Sequence, residues 1–203
     1  MRNEKALFLE SIMKLFYLEL AALVLSIIAA LPFEISLLGW LTMLVSLAGC
    51  IVLFQLSGIH AKYRKASMFM AVSLIGSLLL KLNILPIIIF YVASICSIVA
   101  QYQEYTGHSE MMKGIDEKLS TRWHSLFNWS FFGSLVVAML GSGVAIAAIL
   151  IFQLDASTLT NIELALSRGF DIVIMLCYLR LLKLTHDAYE KYEIPASTIE
   201  MEE

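Results

Sequence analysis

The residues best equipped for chemistry in this chain stand in apolar surroundings. In the stretch ALSRGFDIVIMLCYLRLLKL, Ala165 to Leu184, Arg168 and Asp171 interrupt a run that is otherwise greasy enough for a bilayer. A charge at bilayer depth costs roughly 2.5–3.5 kcal/mol on insertion scales, so such residues face protein or a wet cavity and find partners there. If this helix enters the hydrocarbon near Ile162, Asp171 lies about 13 Å along the axis and Arg168 about 9 Å, at a rise of ~1.5 Å per residue. The long arginine can snorkel outward and the short aspartate cannot. Their i, i+3 spacing puts them on one helix face, which continues through Met175, Tyr178 and Leu182. Two chemistries fit this polar stripe. One is a self-neutralising pair that locks the helix to its neighbours. The other is a proton- or ligand-binding carboxylate with an attendant arginine.

Glu19 is a second carboxylate inside an apolar segment, about one turn from its charged end. Lys14 lies five residues back, so a rim salt bridge is expected, with Lys183 as another partner. The alternative is the inner end of a proton path beginning at Asp171. The substrate- or ion-binding candidates are therefore Asp171, Arg168, Tyr178 and Glu19, and no residue stands out as catalytic. His60, His108, His124 and His186 all fall outside the apolar segments and read as interfacial residues. Their spacing matches no helical metal-ligand pattern such as HExxH, so neither a metal site nor a cofactor is expected. Haem held between two histidines inside the bundle is disfavoured because no histidine lies in a span. Cys50, Cys96 and Cys177 lie in separate apolar blocks without a CxxC and read as small buried hydrophobes. There is no GxxxxGK[ST], GxSxG or HExxH, which argues against an ATP-driven pump and a standard intramembrane protease.

These residues must be positioned by membrane helices. Of 203 residues 60% are hydrophobic and 15% charged, and mean hydropathy is +0.82; a soluble chain is closer to half apolar and a quarter charged. Six apolar segments stand out: Leu15 to Leu31, Ile35 to Leu56, Ala66 to Leu80, Ile84 to Ala100, Ser130 to Phe152 and Ile162 to Leu184. A span needs about 20 apolar residues. Segments three and four are individually short but together too long for one span. They are divided at Lys81, Asn83 and Pro86, with a re-entrant hairpin over 66–100 as the alternative. Backbone groups in lipid leave only helices for a chain without strand-like alternation.

Charge sets the orientation. Twelve of the 14 Lys and Arg fall on one side of a six-span arrangement, leaving Lys81 and Arg168 on the other; the positive-inside rule then makes both termini cytoplasmic. The N-terminus, with Glu10, Lys14 and Glu19, does not read as a cleavable signal peptide. The expected fold is an all-α integral membrane protein: three helical hairpins over residues 1–192 in the plasma membrane, the inner membrane of a bacterium, followed by an acidic, disordered tail over 193–203. Between helices four and five, Ile115, Leu119, Trp123, Leu126 and Phe127 share one face. They predict an amphipathic cytoplasmic helix, or a lower extension of helix five, with Asp116 as its N-cap.

Small residues mark expected helix contacts: Ser134, Ala138 and Ser142, Gly141 and Ala145 on helix five, and Ala22, Ser26 and Ala30 on helix one. The net charge of −3 and the absence of a basic tract argue against nucleic acid. The partners implied are the lipid bilayer, a small ion or ligand, and a second copy or another membrane protein. Three functions follow in order of support. A small transporter or channel would use the polar site on helix six. An accessory or immunity-type subunit would act by binding a partner protein. An interfacial lipid-modifying enzyme would use the segment His108 to His124, but no nucleophile–base pair is visible there, so an enzyme is not expected.

Overall fold

The computed structural model describes residues 2–29, 37–82, 88–152 and 156–192, and within them the side chains of 4–29, 37–82, 88–141, 143, 161 and 164–192. Six helices follow in order: α1 (Arg2–Ala29), α2 (Leu38–Leu56), α3 (Ala61–Lys81), α4 (Ile88–Met112), α5 (Glu117–Phe152) and α6 (Ala156–Lys191). The acidic tail lies outside the described residues. The helix starts follow local chemistry. His60 caps α3, its Nδ1 accepting from Lys62 N at 3.3 Å. Asp116 caps α5, its Oδ1 accepting from Leu119 N at 3.0 Å. Gly114 makes the turn after α4 with φ +83°, a conformation that favours glycine.

Each helix packs on its neighbours in the chain, and α6 returns to α1, so the six close into a ring. Lys5 Nζ donates to the Glu190 and Tyr192 carbonyls at 2.9 and 2.7 Å, and the Phe8 and Tyr189 rings lie 4.4 Å apart. Both ends of the described chain therefore meet at one end of the bundle. The α3–α4 contact is the most extensive, and its seam runs through Gly76. A Cβ there would stand 2.9 Å from the Ala93 Cβ, closer than carbon atoms pack. Gly76→Ala is expected to separate α3 from α4 and destabilise the protein by about 1–3 kcal/mol, read as a lowered thermal midpoint in detergent.

The packed core lies at the end where the termini meet. Phe8 and Ile12 of α1, Leu53 and Leu56 of α2, Tyr63 of α3, Met112 of α4, Trp123 of α5 and Leu182 of α6 all have exposures of 1% or less. The outer surface is the reverse of a soluble protein's. Leu44, Ile75, Ile88, Ile95 and Met139 are more than half exposed along the helices. Water-exposed apolar surface on this scale is unfavourable for a soluble monomer and suits lipid. Among the described residues, three helices are long and apolar enough to cross a membrane: Glu4–Ala29 within α1, Leu38–Leu56 and Ala61–Lys81.

Of the two forms expected for the stretch after Asp116, a separate surface helix or a lower extension of helix five, the second is found: it makes the first turns of a 36-residue α5. Its apolar face, Leu119, Trp123 and Leu126, is buried in the core instead of lying on lipid. Neighbouring helices already cover that face, and no proline breaks the helix above it. The cysteines also differ from one another: all three are free thiols, but Cys50 is buried and Cys177 exposed.

Candidate functional site

Above the packed end, the helices enclose a cavity of about 450 Å³. Helical spacing explains which residues line it. On α4, Ser97, Gln101, Glu104 and Tyr105 recur at three- to four-residue intervals, so one polar face turns inward. On α6 the same spacing brings Asp171, Ile174, Met175 and Tyr178, and on α1 it brings Glu19 and Ser26. Met70 of α3 and Ser130 of α5 complete the wall. Three carboxylates, Glu19, Glu104 and Asp171, therefore share this lining, and among the described residues it contains no lysine, arginine or histidine.

The floor of the cavity is a network of rings. Tyr178 donates its hydroxyl hydrogen to Glu104 Oε1. His108 Nε2 lies 3.8 Å from the same Oε1. The other ring nitrogen of His108, Nδ1, is 2.8 Å from the Tyr63 hydroxyl. Trp123 stacks on the imidazole at 4.5 Å with 30° between the planes, and its Nε1 donates to Thr185 Oγ1 at 2.8 Å. Gly107 admits this arrangement. A Cβ on it would stand 3.1 Å from the Tyr63 ring, so the phenol would have to shift by a few tenths of an ångström. Farther out on the same end, Glu110 binds both His60 Nε2, at 3.2 Å, and Lys62 Nζ, at 2.9 Å. These groups are partly solvated, and such ion pairs contribute up to about 1 kcal/mol. Lys62→Ala is expected to change stability by less than about 1 kcal/mol, measured by thermal unfolding beside the unaltered chain.

No family model, curated protein or solved structure matches the chain.

The site must therefore be judged from its own geometry. Asp171, Tyr178 and Glu19, expected from the sequence as binding residues, line the same cavity. Arg168 does not. Its guanidinium donates to the Ala29 carbonyl of α1 at 3.2 Å, and no salt bridge joins it to Asp171 among the described residues. Lys14 pairs with Glu10 at 2.7 Å, so the expected rim bridge to Glu19 is not formed. Ser134 and Ala138 are exposed and flank Asp171 in a small outer crevice, and Gly141 is buried. The side chains of Ser142 and Ala145 lie outside the described residues, as does Ala30. The close α5–α6 approach is at Gly133, which carries the Phe170 ring directly against it. Ser26 of α1 lies on the cavity and donates to the Met175 sulfur at 4.0 Å.

His108 requires a correction. Expected at the interface, it is fully buried, because α4 continues past its apolar block to Met112. Glu104 entered no expectation. The pattern that could have found both is Ser97, Gln101, Glu104 and His108, spaced i, i+4, i+7 and i+11 on one helical face. Outside the cavity, His186, Asp187 and Glu190 bring their ligand atoms within 4.8 Å of one another on the last turns of α6. All three come from one helix end, half-buried at His186 and Asp187 and exposed at Glu190, and are fewer than the four ligands a closed metal site uses.

Proposed function

We propose that this protein is a small multi-pass transporter for cations, with six spans, both termini on the cytoplasmic side of the plasma membrane, and the cavity as its substrate site. The observation that carries the reading is the cavity lining: three carboxylates and, among the described residues, no basic side chain. Glu19 and Glu104 are partly buried, and a charge there attracts a cation more strongly than it would in water. The buried block of Tyr63, His108 and Trp123 beneath the cavity favours a carrier over an open channel. The carboxylates do not converge as a coordination shell, since the one group of metal-type ligand atoms lying within 4.8 Å among the described residues is at the end of α6. That favours an organic or hydrated cation over a bare, dehydrated ion. Cytoplasmic termini follow from the basic loops at the end where the termini meet.

Uptake into proteoliposomes tests the proposal. Potassium, guanidinium, tetraethylammonium and spermidine would be compared with uncharged solutes of similar size. Saturable uptake of a cation, absent from empty vesicles and from the uncharged series, is expected. If no cation is taken up, and native mass spectrometry of membrane extracts finds a stoichiometric complex with a different protein, the chain is an accessory subunit instead.

A further inference from the structure

The buried imidazole below the cavity has no role in holding a cation, yet its geometry is unusual. His108 is fully buried, and its Nε2 has no hydrogen-bond partner among the described residues. That nitrogen points toward a carboxylate oxygen of the cavity wall 3.8 Å away. A buried polar atom left unpaired is costly and calls for an explanation. A proton that comes and goes supplies one. In the imidazolium form Nδ1–H donates to the Tyr63 hydroxyl oxygen and Nε2–H faces Glu104, so imidazolium and carboxylate neutralise each other.

Resting on the cation-transport reading, we infer that His108 and Glu104 form a proton site that exchanges its proton for the cation in the cavity. The step balances simply. The proton leaves His108 Nε2 for Glu104 Oε1, so imidazolium becomes imidazole and carboxylate becomes carboxylic acid. The acid then releases the proton into the cavity, and the regenerated carboxylate faces the incoming cation. One proton leaves for each positive charge bound. The titratable groups facing the pair are Glu19 from α1, Tyr63 from α3, Tyr105 from α4 itself and Tyr178 from α6. Tyr189 of α6 lies beyond Tyr63. From α5 comes the Trp123 ring, which does not titrate.

Trp123 provides the readout. An indole stacked on an imidazole loses fluorescence when the imidazole gains a proton. With Trp40→Phe and Trp129→Phe, Trp123 is the one remaining tryptophan. Its emission, followed in nanodiscs without substrate, is expected to fall on acidification. His108→Gln should abolish the response. Glu104→Gln, which leaves the buried ring in place, should move the midpoint to lower pH because the imidazolium loses its counter-charge. In vesicles, cation uptake should carry protons outward. Emission independent of pH, or a response that survives His108→Gln, overturns the proton site and leaves the cation cavity standing. A midpoint unmoved by Glu104→Gln overturns the exchange. Absent cation flux beside an intact His108-dependent response overturns the transport reading instead.

Discussion

Glu104→Gln is expected to lower cation uptake at least about a hundredfold while leaving the bundle folded. Two charges about 5 Å apart in surroundings of effective dielectric ~20 attract by about 3 kcal/mol. At about 1.4 kcal/mol per decade, losing one such contact weakens binding more than a hundredfold. Glu104 is the carboxylate best placed to matter this much. Its side chain is 13% exposed, so solvent screens it little, and it stands where the cavity meets the ring network. The fold should survive, because the amide oxygen of glutamine can still accept from the Tyr178 hydroxyl, which donates to Glu104 Oε1. Asp171→Asn should lower uptake less, by about tenfold or under, since Asp171 is exposed and water screens its charge. Initial uptake rates, with thermal unfolding of each variant beside them, measure the difference. Wild-type uptake by Glu104→Gln would remove the cavity from the mechanism.

That ranking could not have been drawn from the sequence, and the reason is physical. Asp171 and Tyr178 were legible because they sit on one helix, where i, i+3 and i+7 spacing fixes a common face whatever the rest of the chain does. The all-helical character was legible for a similar reason, since apolar blocks act locally. Glu104 and His108 lie beyond Ala100, where the apolar block ends, and hydropathy reads that as departure from the membrane. Yet α4 continues to Met112 and turns the polar face inward. Its partners, Tyr63 and Tyr178, are 45 and 74 residues away in sequence. Contacts at that separation leave no periodic trace.

The Arg168–Asp171 pair shows the opposite limit. Spacing brought the two residues to one face without making them partners. The last carbonyls of a helix have no intrahelical donor, and Arg168 reaches the one offered by Ala29 at the end of α1. Asp171 is left to the cavity. A neighbouring helix end thus outcompeted a neighbour on the same helix, which no pattern within one segment encodes.

Trp123→Ala is expected to be the most destabilising single change, at about 3–5 kcal/mol for the lost volume alone. Trp123 is completely buried and touches the rings of Tyr105, His108 and Tyr178, joining α5 to α4 and α6 at the end where the bundle is packed. Removing the indole also strands the Thr185 hydroxyl, which is fully buried. An unsatisfied polar group of that kind costs about 1–3 kcal/mol more. Against a typical total of about 5–15 kcal/mol, that is a large share of the fold's stability. Trp123→Phe separates the two contributions, because it keeps most of the ring packing and loses the N–H. It should cost about 1–2 kcal/mol, part of which Thr185→Val recovers by removing the stranded partner. The adjacent residue is the control: His124 is exposed, and His124→Ala should stay within about 0.5 kcal/mol. Denaturant unfolding in detergent would rank the four variants. Equal loss from Trp123→Ala and His124→Ala would mean that the buried ring network does not hold the helices together. A steep difference would establish that the network closing the cavity floor also ties the bundle, so that the pair proposed to exchange protons sits on its most rigid part.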